Sequence, residues 1–258
     1  MALTSKTPKD TYKDLLEIDN SNSGADSTVR SIKTGDGSST AIGTSDRSCV
    51  ITSTTDNTGA FYVQNAAEAV KFKVDTTNNQ VKALDIHVNT QYHTFGLTGS
   101  ASSSVSAGQH LLLHSDGIVD NELTLSPLHM GTGTDPATSL TLSNNALSYI
   151  KLFWYLPDSI SIDSVTSIEA ADAATGDTTR FHLMGYDYTD GSASVLTNGT
   201  LLAHSADQVN AGYEQMYVNT WTIDSAAVLS GKAILVFWEQ DGTNGDYSVS
   251  VTVKYHLS

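Results

Sequence analysis

One cysteine, Cys49, stands in 258 residues. That excludes an intrachain disulfide framework and any zinc site built from cysteine ligands. Basic side chains are also scarce, with 13 Lys and Arg against 28 Asp and Glu for a formal charge of −15. Nucleic-acid binding needs clustered cations to displace counterions, so no nucleic-acid partner is expected. An anionic membrane surface is disfavoured for the same reason. No run of 18 apolar residues occurs, so no helical membrane insertion is expected. The first residues, Met1 to Lys9, have no apolar core, and a secretory signal is not expected there. Helix formers are thin as well: six glutamates in the whole chain, and no long stretch with a 3.6-residue period.

Small polar residues are abundant. Serine and threonine supply about a quarter of the chain, while 39% of it is hydrophobic, enough for a packed core. The charge is uneven. Residues 1–100 carry 9 basic and 11 acidic side chains, and residues 101–258 carry 4 and 17. The asymmetry predicts two bodies. The stretch 99–107, small and polar with Val105 as its one apolar anchor, reads as a linker between a 1–98 region and a 108–258 domain. A surface loop within one domain is the alternative.

Alternation argues for an all-β chain. Val70, Phe72 and Val74 share one face of a strand and Lys71 and Lys73 the other. A second strand is predicted over Lys82–Val88, closing a hairpin with Leu84, Ile86 and Val88 aligned. Short strands are also predicted at Leu15–Ile18, Thr28–Lys33, Cys49–Ser53 and Ala60–Gln64. Asp10–Glu17 could instead form two helical turns or an extended arm. The apolar content of 1–98 is thin, so partner chains are expected to complete its core. The second half is richer. Val249, Val251, Val253, Tyr255 and Leu257 alternate with polar residues, the mark of a half-buried antiparallel strand. Ala233–Trp238 is apolar throughout and should be buried on both faces. Asn198-Gly199 is a preferred pair for a tight hairpin. Further strands are predicted at His110–His114, Leu140–Leu142, Tyr149–Leu156, Ile160–Ile168, Arg180–Tyr188, Ser194–Ala203 and Gln215–Ile223. Eight or nine strands in this span suit a jelly-roll-like β-sandwich.

Chemistry-bearing patterns are weak. His110 and His114 on one strand share a face but sit ~13 Å apart, too far for one metal in one chain. Asp36-Gly37, Asp187–Gly191 and Asp241–Asp246 contain calcium-type residues without alternate-position carboxylates, and read as turns. Glu169, Glu214 and Glu239 near strand ends could pair for glycoside hydrolysis, yet no nucleophile elbow, phosphate loop or zinc-protease motif accompanies them. No catalytic residue, metal or cofactor is therefore expected. Trp154, Trp221 and Trp238 read chiefly as core, and Cys49 as a small apolar residue rather than a nucleophile. The better lead is loop-borne: Tyr186, Asp187, Tyr188 and Asp190 at one strand end, with Asp241, Asn244 and Asp246 in another loop, as a contact surface for a host glycan or protein.

Two stretches carry a resemblance. Leu15 to Arg30, continuing to Asp36-Gly37, resembles the N-terminal region of many tail-fibre and virion proteins of tailed phages. Asp177–Asp187, Asn210–Glu214 and Asp246–Leu257 resemble C-terminal β domains of structural proteins of marine phages. The resemblance covers about half of the chain and rests on sequence habits, not on a catalytic signature. It implies a virion protein assembled in the host cytoplasm as a homotrimer. Residues 1–98 would then attach to capsid, portal or tail, and 108–258 would face outward for host attachment. Long fibres of this kind often carry extended repeats or a His-x-His metal pattern. Neither occurs here, so a short appendage is expected. A head decoration or cement protein and a jelly-roll carbohydrate-active enzyme remain the alternatives.

Overall fold

The computed structural model describes residues 16–21, 23–99, 109–115, 129–132, 135–141, 150–172, 175–191, 195–212, 215–241 and 246–258. The chain divides into two units, Met1–Val88 and Asn89–Ser258. Described residues are nearly all β, with one 3-10 turn.

The first unit holds two four-stranded antiparallel sheets. One is formed by β1 (Leu16–Ile18), β2 (Arg30–Thr34), β3 (Ser39–Thr44) and β4 (Cys49–Ile51), in that order. Ile18 lies opposite Ile32, and Ile42 opposite Ile51. Arg30 opposite Thr44 and Ser31 opposite Gly43 put Ile32 and Ile42 on one face, at a bulge where the register shifts before Lys33 meets Ser39. A row of isoleucines therefore crosses one face of the sheet, while Glu17, Ser31 and Lys33 point to the other. The other sheet is β5 (Phe61–Gln64), β6 (Val70–Asp75), β7 (Gln80–Ala83) and β8 (Ile86–His87). Its apolar face pairs Phe61 with Val74 and Val63 with Phe72, and Lys73 pairs with Lys82 on the opposite face. The expected separation of Phe72 and Val74 from Lys73 is thus present, but a register shift between Val63 and Gln64 sets Val70 opposite Gln64 and out of that face. The predicted Lys82–Val88 strand is not continuous. Leu84 and Asp85 both take positive φ, 51° and 65°, and form the two-residue turn between β7 and β8. Positive φ at both positions is what a type I′ turn requires, and leucine is a poor residue for it.

Among the described residues of this unit no large apolar side chain is buried. Only Asp75 among them is, at 4% exposure. Each sheet is a single layer.

The second unit is a β-sandwich. Its strands are β9 (Thr90–Gly99), β10 (Gln109–Leu112), β11 (His114–Ser115), β12 (His129–Thr132), β13 (Leu140–Thr141), β14 (Trp154–Tyr155), β15 (Ile160–Asp172) and β16 (Thr178–Asp187). There follow β17 (Val195–His204), β18 (Gln208–Val209), β19 (Gln215–Thr220), β20 (Thr222–Ile223), β21 (Ala227–Val228), β22 (Lys232–Gln240) and β23 (Asp246–Leu257). One sheet runs β12-β10-β22-β16-β17-β13 and the other β11-β9-β23-β15-β19. The expected domain boundary moves. β9 pairs along its whole length with β23, so residues 89–98 are part of the sandwich rather than of the N-terminal region. The proposed linker 99–107 lies outside the described residues apart from Gly99, which closes β9.

Two predicted strands turn out to be sheet-switching corners. β10 pairs with β22 in one sheet, and β11 with β9 in the other, so His110 and His114 do not share a strand face. β19 pairs with β15, whereas β20 crosses to β17. At that corner Trp221 is buried, stacks on Phe181 and donates its indole N–H to Ser167 Oγ at 2.9 Å. Of the alternating face of β23, Val249, Val251, Val253 and Tyr255 join the core as read, together with Tyr247, whereas Leu257 is 39% exposed. β22 is buried on both faces. Ile234, Val236 and Trp238 enter the inter-sheet core, and Ala233, Leu235 and Phe237 enter a second cluster on the outer side with Met184, Tyr186 and Leu152.

Asn198-Gly199 makes no hairpin. It lies inside the continuous strand β17, next to shifts of register against β16. Asn198 has φ 51°, and the Gly199 N–H donates to Thr138 O at 2.8 Å. A Cβ on Gly199 would stand 2.5 Å from the Tyr186 ring and 2.9 Å from the Thr138 backbone. The ring cannot yield, because it is fully buried and its hydroxyl donates to Ala137 O at 2.8 Å. Gly199→Ala should therefore cost about 1–3 kcal/mol, read as an earlier urea midpoint of tryptophan fluorescence. All three tryptophans lie in this unit, so the signal reports the sandwich alone. By contrast, Leu84→Asn with Asp85→Gly should stabilise the β7–β8 hairpin by about 1 kcal/mol, seen as slower amide exchange over 80–88.

Candidate functional site

The loop residues expected to form one contact surface fall at opposite ends of a sheet. Asp187 pairs with Lys232 at one end of the β16–β22 ladder, and Thr179 with Gln240 at the other. Eight residue steps separate them, ~26 Å at 3.3 Å per residue. Tyr186, expected as a contact residue, is 0% exposed; burial pushes its hydroxyl pKa up. Its position in β16 opposite Ala233 turns the ring into the outer cluster, away from the loop. Asp187 is half-buried and accepts bonds from Lys232 Nζ at 2.5 Å and Asn198 Nδ2 at 2.6 Å. These bonds hold its carboxyl below the usual range. Tyr188 and Asp190 are exposed. The Tyr188 ring meets Tyr155 edge to face, with centroids 5.9 Å apart, and Tyr155 is itself 53% exposed. Sequence reasoning missed Tyr155, because no local period links it to Tyr188. At the far end Asp241 is exposed and accepts the Thr178 N–H at 2.5 Å. Asn244 lies outside the described residues. Asp246 opens β23 opposite Asp172.

The Asp241 end of the sandwich is the most polar part of the described unit. Inside, between the sheets, Glu169 is 0% exposed and Thr179 Oγ1 donates to its Oε2 at 2.6 Å. Burial raises the Glu169 pKa, and the Thr179 bond restrains the rise. Asn210 Nδ2 reaches Tyr247 OH at 3.4 Å, and Tyr247 packs edge-on to Trp238. Glu169 Oε1, Asn210 Oδ1, Trp238 Nε1 and both amide atoms of Gln240 are buried with no partner. Burial thus keeps the protonated form of Glu169 favoured to a higher pH than for a free carboxyl.

On the outer face of the same sheet, His110, Glu239 and Arg180 sit side by side through the ladder, and His182 lies opposite Phe237 and His204. Arg180 is anchored to Asp207 by bonds of 2.6 and 2.8 Å. His110 Nε2 stands 3.4 Å from Glu239 Oε2, and His182 Nε2 stands 3.6 Å from Asp135 Oδ1. The His110 and His182 rings meet edge to face at 5.6 Å. Burial, then the neighbouring His110, lowers the His182 pKa to about 4, and burial lowers His110 as well. Both imidazoles are neutral at neutral pH. His110, His182 and Glu169 are each at most 2% exposed, so they stiffen the sandwich end rather than meet a ligand from solution. The accessible groups there are Asp135, Asp207 and Asp241. Sequence spacing contains no signal for such a cluster, since its members come from β10, β16, β17 and β22.

No family model matches the chain. No curated protein matches it either. Among solved structures it is similar to the Eiger TNF of S. frugiperda, at 10% identity and a TM-score of 0.29, covering 66% of this chain and 94% of that one.

The buried imidazole sets a pH dependence. His182 has a pKa of about 4 when folded against 6.5 when free, so the unfolded chain binds the extra proton between those values. This contribution to stability is full above about pH 6.5 and is lost as pH falls towards 4, up to about 3 kcal/mol. His182→Gln should flatten the fall in melting temperature between pH 7 and 4.5, measured by tryptophan fluorescence. An unchanged slope would assign the acid sensitivity elsewhere.

Proposed function

We propose that the chain is a structural subunit of a tailed-phage virion, assembled with copies of itself as a homotrimer into a short fibre- or spike-type appendage. The observation that carries this reading is the unit ending at Val88, which builds two sheets and, among its described residues, buries no apolar side chain. A sheet with an apolar face needs a cover, and a chain that lacks one supports itself by assembly. The sandwich of 89–258 differs: it has its own core and carries most of the acidic excess. An acidic body repels its copies and stays hydrated, which suits the part presented to the surroundings. On this reading the first unit enters the particle, and the sandwich meets a host-surface glycan or protein. Its contact is the exposed pair Tyr155 and Tyr188 with Asp187 and Asp190. The resemblance of Leu15–Arg30 and Asp246–Leu257 to phage structural proteins supports the same assignment, and the role is structural, without turnover.

The test is on particles. Mass spectrometry of purified virions should find the chain in tens of copies, and antibody against 89–258 should label intact particles. Hundreds of copies would favour a head decoration protein instead, and absence from purified particles would end the virion reading. Tyr155→Ala with Tyr188→Ala should reduce host adsorption about tenfold with particle yield unchanged; a ΔΔG near 1.4 kcal/mol corresponds to that factor.

A further inference from the structure

We infer that the apolar faces of the two single-layer sheets in 16–88 are the surfaces on which copies of this chain meet one another. The inference rests on the self-assembly reading above and assigns its surface. In the β1–β4 sheet the face is the isoleucine row Ile18, Ile32, Ile42 and Ile51, with Ile42 42% and Ile51 43% exposed. In the β5–β8 sheet it is centred on Val63 and Phe72, with Val63 48% exposed. β-branched and aromatic residues on a pleated face pack against a second sheet ~10 Å away, the ordinary geometry of a sandwich core. No described residue of the unit supplies the second layer.

Two considerations select a second copy as that layer. The acidic group on the isoleucine face, Asp26, is neutralised by Arg30 at 2.8 Å, and no acidic side chain is among the residues paired across the β5–β7 apolar face. Because the whole chain carries −15, copies oppose each other over most of their surface but not here. A single-layer sheet of four short strands also gains stability only once it is covered, so the cover must be at hand when the strands form. A second copy is supplied one for one with the first.

Cys49 provides the probe. It is exposed, and its pairing with Thr44 puts it on the same face as Ile51 at the edge strand β4. It is the only cysteine in the chain, so any disulfide joins two copies. The experiment uses the intact chain, with its native mass from light scattering and its copper-phenanthroline oxidation products on a non-reducing gel. The expected result is a mass that is a multiple of 27.4 kDa and a two-chain band. Ile42→Thr with Ile51→Thr keeps strand-forming residues but removes apolar surface. It should raise the concentration at which the oligomer dissociates at least tenfold and weaken the two-chain band. Ser31→Thr, on the opposite face, should change neither. An oligomer that forms no Cys49 crosslink and is unaffected by the isoleucine changes would overturn the assignment of the face while leaving self-assembly in place. A native chain that remains a monomer at micromolar concentration would overturn both.

Discussion

A β-sheet has two faces, and each face that is apolar must be covered; the whole organisation of this chain follows from how that requirement is met. The sandwich meets it twice. Its inner faces close on each other around Val251, Phe181 and Trp238, and the outer face of one sheet is covered locally by Leu140 and the turn at Ile150–Leu152. β22 lies between those two clusters, which is why a strand without any polar alternation is stable there. The first unit meets the requirement nowhere within its own described residues. The difference between the units is therefore one of covering layers, not of strand-forming tendency, since both halves alternate cleanly.

The polar end of the sandwich obeys a second constraint. Glu169 and His182 occupy positions that the strand period turns away from water, one into the core and one into the outer layer. Each avoids the cost of a buried charge by being neutral at the pH where the charged form is ordinarily present. The two shifts act in opposite directions. Glu169 is disfavoured as pH rises and His182 as pH falls, so together they confine the best stability of this end to an intermediate window. Arg180 keeps its charge because Asp207 holds it at the solvent edge.

What the sequence makes legible is whatever one strand decides alone. The facing of Phe72 and Val74 in β6, the inward run Val249 to Tyr255 of β23 and the double burial of β22 follow from period two or its absence, and these are present. The misses come from contacts between strands distant in sequence. Trp221 and Leu113 mark points where the chain leaves one sheet for the other, and nothing local distinguishes such a corner from a continuing strand. Asn198-Gly199 has the composition of a hairpin, but the glycine is required by the Tyr186 ring and the Thr138 backbone. Leu84-Asp85 lacks the composition of a turn and makes one. The contact surface was drawn from loops that are similar in composition, and the antiparallel ladder sends those loops to opposite ends of the sheet. The polar cluster was illegible for the same reason, since its residues come together only through sheet registers.

The pairing of β9 with β23 has a consequence for synthesis. β23 sits between β9 and β15, so it is the strand through which the second sheet is continuous. It also follows every other strand of the sandwich in chain order, and its partner β9 ends some 150 residues before it begins. Contacts so remote in sequence form slowly, because a long loop must close before they are rewarded. A chain cut short before Asp246 would leave β9 with no neighbour but the two-residue β11, and Phe95 without the valines it packs beside. Closure of the sandwich thus waits on β23: the long edge of β9 is covered only once that strand has been made.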